Sequence, residues 1–185
     1  MSTKDASNRE KLLQALEKFD STTRQARAER IEWLSLHSPT LPVVIGRPET
    51  LHLLQEARET FIGGHFVASL ITAMACIEHC IVEELNLLGH IQLSPKQSSP
   101  KFSRILEIAG ANKVFPPDWL ERARRLGLRR NPFAHLKDEG HHHALGIRIR
   151  EEKRHPHAII EADAKDAVEL MYNFFNATLR EATFE

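Results

Sequence analysis

The sequence has few of the features that mark secreted or membrane proteins. Its 185 residues include only two cysteines, Cys76 and Cys80, so a secreted disulfide scaffold is excluded and a reducing compartment is expected. The N-terminus carries charges of both signs and lacks the apolar region of a signal peptide. The most apolar stretch, Phe66 to Leu88, is interrupted by glutamates. These absences predict a cytoplasmic protein that does not contact a membrane.

The sequence also lacks net charge and the common nucleotide-binding and hydrolase motifs. Basic and acidic residues both number 25, so affinity for nucleic acid must come from a local patch. No Walker loop, G-x-G-x-x-G fingerprint or G-x-S-x-G elbow occurs, which disfavours P-loop NTPases, Rossmann dehydrogenases and α/β-hydrolases. With 42% hydrophobic and 27% charged residues, the chain has the composition of an ordinary folded domain.

Apolar residues recur at helical spacing along most of the chain. The pattern predicts an N-terminal helical extension and linker over residues 1–47 and an all-α helical domain over residues 48–185. Alternating apolar and polar residues at Ile147–Arg150 and His157–Glu161 are typical of a small β-hairpin. Asp163 is then expected to help cap the last helix.

The central helix, predicted from His65 to Leu88, carries a carboxylate on its apolar side. Glu78 shares that side with several apolar residues. These are Ile71, Met74, Ala75, Ile81, Val82 and Leu85. A buried carboxylate needs a cation or several hydrogen-bond donors as partners. In the predicted helix that begins at Trp119, Arg130 lies at the end of an apolar stripe. Its side chain is therefore expected to point inward.

Other arginines of the same helix are predicted to face outward. They are Arg122, Arg124, Arg125 and Arg129, which fall on different sides from Arg130. Together they would form a basic surface able to contact the phosphate backbone of RNA or DNA. A solvated basic face on an ordinary helix is the equally expected alternative.

Pro132 is expected to interrupt this helix, because proline has no backbone N–H group and disfavours helical dihedral angles at the preceding residue. Asn131 would then cap a new helix that begins at Pro132, with His135 in its first turn. Free backbone N–H groups at that N-terminus would bind a phosphate oxygen between Arg130 and His135. They would also keep His135 available as a base.

The segment from Arg130 to His135, Arg-Asn-Pro-Phe-Ala-His, resembles the R-N-x-x-x-H form of the motif that marks HEPN domains. These all-α domains occur in many prokaryotic toxins and RNA-guided nucleases. The entry into the apolar helix at Gly64–Ala68, together with Glu78, is similar to the family's preceding helix and its acidic position. The resemblance extends over roughly Glu49 to Leu179 and implies an antiparallel helical bundle.

The resemblance implies a metal-independent endoribonuclease without a cofactor, acting as a homodimer in which two motifs face each other. The RNA 2′-hydroxyl would attack the adjacent phosphate and leave a 2′,3′-cyclic phosphate and a 5′-hydroxyl. His135 would act as acid and base, and Arg130 would contact the phosphate in the transition state. Asn131 would position these two side chains, and Glu78 would be the acidic residue that supports the site. The residues expected to bind RNA are Arg122, Arg125, Arg129 and Lys137.

Enzymes of this kind commonly act as toxins or antiviral effectors under the control of an antitoxin or regulatory protein. Some family members instead keep the fold as a non-catalytic module that binds a nucleotide or a protein. In that alternative, Arg130 and Glu78 would form only a structural ion pair. A third alternative is a helical DNA-binding protein that uses the face from Arg122 to Arg130.

Two further clusters contain residue types that bind metals. His141–His143 are consecutive, and adjacent residues cannot all face one ion, so a polar loop that lines the RNA site is favoured. Cys76, His79 and Cys80 share one flank of the central helix, but no fourth ligand is indicated and ordinary helix packing is favoured. The sequence therefore predicts no metal site.

Overall fold

The computed structural model describes residues 3–37, 47–94, 100–136 and 140–179. Within these ranges the chain forms seven helices and no strand, which confirms the all-α class. The helices in chain order are α1 (Thr3–Ser35), α2 (Pro48–Gly63), α3 (Phe66–Leu87), α4 (Phe102–Ala111), α5 (Pro117–Ala134), α6 (Leu145–Glu152) and α7 (Pro156–Thr178). The chain divides into two compact units, Met1–Leu36 and His37–Glu185.

The first unit is the single long helix α1, which spans 33 residues. Charged side chains of both signs cover much of it, and Arg27 pairs with Asp20 two turns earlier at 3.1 Å. Large apolar side chains in its first half remain exposed. A helix therefore occupies most of the segment in which the sequence predicted a helical extension.

The second unit begins with an antiparallel helical hairpin of α2 and α3. Pro48 lies in the first turn of α2, where its missing N–H group costs no helical hydrogen bond. Gly64 ends α2 in the left-handed conformation, with a φ of 80°, which glycine adopts without a Cβ clash. The Ser69 hydroxyl donates to the Ala57 carbonyl at 3.1 Å and joins the two helices.

Helix α3 is the centre of the second unit and packs against α2, α4, α5 and α7. Its buried residues lie on several sides of the helix. They are Phe66, Ser69, Leu70, Ala73, Met74, Cys76, Ile77, Cys80, Ile81 and Leu85. Alone among the described helices, α3 has the length and apolar composition of a membrane span. Its packing within the bundle accounts for that composition.

Helices α5 and α7 run antiparallel. The Trp119 and Phe174 rings meet edge to face at one end, with 5.6 Å between their centroids. At the other end Arg129 reaches Asp163 at 2.7 Å. The end of α5 that carries Arg130 and His135 therefore lies beside the first half of α7.

Helices α3 and α7 begin at the same end of the bundle, where the Phe66 and His157 rings lie 5.0 Å apart. Helix α5 therefore runs antiparallel to α3 as well. A side chain at Gly127 would meet Met74 at 4.0 Å, which aligns the middle of α3 with the last two turns of α5.

The predicted β-hairpin is wrong, because both of its segments are helical. Residues 147–150 belong to α6, and residues 157–161 belong to the first turns of α7. Four to five alternating residues are too few to distinguish a strand from a helix. His155 caps α7, with its ring Nδ1 accepting from the His157 N–H at 3.3 Å. The last helix thus starts well before Asp163, which is buried within it.

The predicted break at Pro132 is also wrong, since α5 continues through Pro132 to Ala134. The proline lies in the last turn, so its missing N–H group removes a single helical hydrogen bond. The Asn131 carbonyl still accepts from the His135 N–H at 2.9 Å. His135 follows the helix in an extended conformation.

Candidate functional site

The Arg130–His135 segment forms the C-terminal end of α5. The expected free N–H groups of a new helix are therefore absent from this segment. A helix C-terminus presents carbonyl groups and the negative end of the helix dipole, which favours cations over anions. Any attraction for a phosphate at this end must come from side chains, and Arg130 is the cation within the motif.

Arg130 is half-buried, and its Nε has no hydrogen-bond partner among the described residues. A buried guanidinium donor is normally paired, because leaving it without an acceptor costs free energy. His135, five residues further along, is exposed. Asn131 is half-buried between them. The motif thus combines a buried donor, for which the described part of the chain supplies no acceptor, with a solvent-accessible imidazole.

The other arginines of α5 form ion pairs. Arg122 donates to Asp166 at 2.6 Å and to Glu169 at 3.2 Å. Arg125 reaches the other oxygen of Asp166 at 3.2 Å. Burial acts to lower the pKa of Arg122, but its hydrogen bonds to these carboxylates and their charge raise it overall. Arg122 and Arg125, two of the three arginines expected to bind RNA, therefore face α7 carboxylates.

Arg129 belongs to a second, more deeply buried cluster. Asp163, with 1% of its side chain exposed, accepts from Arg129 at 2.7 Å. Arg148 of α6 donates to both oxygens of Asp163 and also to Glu152 at 3.0 Å. This cluster joins α5, α6 and α7 next to Arg130. Lys137, the remaining predicted RNA-binding residue, lies outside the described residues.

The buried roles of Asp163 and Arg148 were not predicted from the sequence. A carboxylate within an apolar stripe was the signal at Glu78. Asp163 carries the same signal, because it lies in the buried stripe formed by Ile159, Ala167 and Leu170. No comparable signal marks Arg148. Helix α6 has only eight residues, and Arg148 is its one buried position.

The predicted polar loop of histidines leads into α6. The His141 Nδ1 accepts from the His143 N–H at 3.3 Å, and the two rings lie 5.7 Å apart. Burial lowers the pKa of His143, and nearby positive charges, including those of Arg129 and Arg148, lower it further. The loop is therefore adjacent to the Asp163 cluster.

Glu78 lies at a cavity between α2 and α3. The cavity has a volume of about 450 Å³ and is lined by Arg47, Glu49, Ala75, Glu78, His79, Val82, Glu83 and Leu93. Among the described residues Glu78 forms no ion pair with Arg130. Gly127 is aligned with Met74, and the two helices run antiparallel. The backbones of Glu78 and Arg130 are therefore about 10 Å apart along the helix axes. The structure therefore does not bring Glu78 and Arg130 together.

Polar contacts close one side of this cavity. The buried Thr50 hydroxyl donates to Glu83 at 2.6 Å and lies 3.3 Å from the His79 Nδ1. Cys76 is buried nearby, and its thiol contacts the Thr50 carbonyl at 3.8 Å. A hydrogen bond with Cys80, together with burial, raises the pKa of Cys76 far above its usual range, so the thiol stays protonated. Packing and hydrogen bonding account for this flank of α3.

The described part of the chain holds no group of three or more His, Cys, Asp or Glu side chains arranged to bind a metal ion. Comparison of the chain with protein-family models, with curated protein sequences and with solved structures finds no match. Functional inference for this protein therefore depends on its own residues and their geometry.

Proposed function

We propose that this protein is a metal-independent endoribonuclease of the HEPN type, in which Arg130 and His135 act on an RNA phosphodiester. In the reaction, the 2′-oxygen forms a bond to the adjacent phosphorus as the bond from phosphorus to the 5′-oxygen breaks. A base takes the proton of the 2′-hydroxyl, and an acid delivers a proton to the departing 5′-oxygen. The products carry a 2′,3′-cyclic phosphate and a 5′-hydroxyl.

The isolation of Arg130 is the observation that supports this proposal. Arg122, Arg125 and Arg129 are paired with carboxylates, whereas the buried Nε of Arg130 has no acceptor among the described residues. A phosphate oxygen is a strong acceptor for a guanidinium group. Once the half-buried Arg130 side chain turns its Nε toward solvent, a bound phosphate would satisfy the donor and stabilise the charge that develops on phosphorus during the reaction.

The exposure of His135 supports its role in proton transfer. Imidazole is the side chain most often used as a general acid or base, and it must reach the reacting oxygen. His135 follows α5 in an extended conformation and is exposed to solvent. In the proposed homodimer, His135 of one copy accepts the proton and His135 of the second copy donates one. Asn131 positions the segment, since its carbonyl accepts from the His135 N–H.

The proposal requires few phosphate contacts from the rest of α5. Because Arg122 and Arg125 face Asp166, we expect them to stabilise the bundle more than they bind RNA. Cleavage rather than tight binding is then the expected activity. We further propose a cytoplasmic toxin or antiviral effector, controlled by a partner protein that covers the motif.

The test is to incubate the purified protein with mixed cellular RNA in EDTA and to analyse the ends of the products. We expect cleavage with cyclic phosphate ends. Arg130→Ala and His135→Ala should each reduce the rate by at least about 100-fold. Arg124→Ala is the matched control, because Arg124 is an exposed arginine of the same helix whose ion pair with Glu121 is a weak contact at 3.5 Å.

Circular dichroism and the oligomeric state must be unchanged in each variant. Cleavage that survives both Arg130→Ala and His135→Ala would show that another protein or site cuts the RNA. If the wild-type protein binds nucleotide or RNA without cutting it, the non-catalytic binding module becomes the better description. In that case Arg130→Ala should weaken binding and His135→Ala should leave it unchanged.

A further inference from the structure

Helix α1 carries an exposed apolar stripe in its first half. Leu12, Leu16 and Phe19 are 66%, 60% and 59% exposed. Their spacing of four and three residues places them on one face of the helix, and Leu13 borders that face. Helices in water gain most of their stability by packing such a face. A contiguous stripe of this kind usually marks an interaction surface.

The charges beside the stripe indicate what covers it. Arg9 and Asp20 lie on the same edge of the stripe, at its two ends. Two helices that pair antiparallel place the same edges side by side, so each end of one helix meets the opposite end of the other. The charges on this edge of the stripe are therefore complementary to each other under a two-fold axis.

We propose that α1 pairs with α1 of a second copy of this chain, antiparallel, about a two-fold axis near Gln14. In this arrangement Leu12 packs against Leu16 of the second copy, and the reverse contact forms by symmetry. Arg9 lies beside Phe19 and Asp20 of the second copy. The Arg9 guanidinium then has both an aromatic face and a carboxylate to contact.

Asp20 has room for this second cation. Its existing ion pair with Arg27 is exposed, with 55% of the Asp20 side chain open to solvent. A parallel pair in register would place Arg9 against Arg9 and would leave Asp20 without a new partner. The mixture of Glu17 and Asp20 with Lys18 around the stripe opposes binding to an anionic lipid surface.

The test measures the mass of the full-length protein by sedimentation from about 1 to 100 µM, the range of weak to moderate association. Leu16→Asp should lower the weight-average mass, because pairing would bury the new carboxylate in an apolar contact without a cation. Gln14→Asp introduces the same side chain on the opposite face, two residues away, and should leave the mass unchanged. Circular dichroism verifies that both variants stay helical.

Charge reversal tests the antiparallel arrangement. Arg9→Asp should lower the mass by placing two carboxylates together, and the double variant Arg9→Asp with Asp20→Arg should restore it. A wild-type chain that is monomeric at 100 µM, or a mass that Leu16→Asp does not change, overturns the proposal. Loss of association with Leu16→Asp but no recovery in the double variant also overturns it, because the pairing would then not be antiparallel.

Discussion

At the scale of single residues, Asp163 is a buried carboxylate in the second unit. Its carboxylate is buried between Arg129 and Arg148, and Arg148 is itself only 5% exposed. A buried charge is tolerated because the opposite charges and hydrogen bonds replace water. Removing the carboxylate would leave two guanidinium groups facing each other, one of them buried.

We expect Asp163→Asn to reduce the free energy of unfolding by about 3–5 kcal/mol, the usual effect of breaking a buried ion pair. Urea unfolding monitored by circular dichroism measures the change. Glu107→Gln is the control, because the Glu107–Arg104 pair is exposed, and we expect it to cost less than about 1 kcal/mol. Equal effects of the two substitutions would contradict a special role for the buried cluster.

His143 makes stability depend on pH in a defined direction. Burial and the charges of His141, Arg129, Arg148 and His142 lower its pKa in the folded protein below the ordinary value of 6.5. Below pH 6.5 the unfolded chain therefore takes up the proton more readily, so acid favours unfolding. We expect the fall in free energy of unfolding between pH 7.5 and 5.5 to be smaller in His143→Gln than in the wild-type protein. The same fall in both proteins would contradict this prediction.

At the scale of elements, the contact between α4 and α5 depends on a glycine. A Cβ at Gly127 would lie 3.0 Å from the Phe102 ring, closer than ordinary packing allows. Alanine would otherwise be favoured at this helical position by about 1 kcal/mol. Steric exclusion, not backbone freedom, therefore explains the glycine.

We expect Gly127→Ala to lower the free energy of unfolding by about 1–3 kcal/mol, as overpacking usually does. In the double variant with Phe102→Leu the cost of adding the methyl group should largely disappear. Gly110→Ala is the matched control, because its Cβ would make an ordinary 3.6 Å contact with Leu120. Denaturant unfolding of the wild-type protein, Gly127→Ala, Phe102→Leu, the double variant and Gly110→Ala tests the prediction. Equal costs at Gly127 and Gly110 would contradict it.

At the scale of the whole molecule, the arginines of α5 act mainly between helices. Arg122 and Arg125 form ion pairs with Asp166 of α7, and Arg129 forms one with Asp163. The helix has many basic residues in sequence, but much of its charge is balanced within the fold. Within residues 3–37, 47–94, 100–136 and 140–179, the buried Nε of Arg130 has no acceptor, and the proposed chemistry is therefore assigned to the end of α5.

The all-α class and most helix positions could be predicted from the sequence. Apolar spacing of 3.6 residues and local breakers such as Pro48 and Gly64 act over a few residues, so these features are readable without a fold. The wrong predictions near Ile147 and at Pro132 were also local. The alternation near Ile147 was too short to identify a strand, and Pro132 costs little when it lies in the last turn of a helix.

The sequence by itself determined which residue types are close along the chain, and hence the motif from Arg130 to His135. Only the tertiary structure decided which arginines are neutralised, because Asp163 and Asp166 are more than 30 residues away from their partners on α5. The same holds for Glu78, which faces the α2 side of α3 rather than Arg130. Burial and ion pairing depend on how helices pack against each other, and the helical period of one segment does not specify its neighbour.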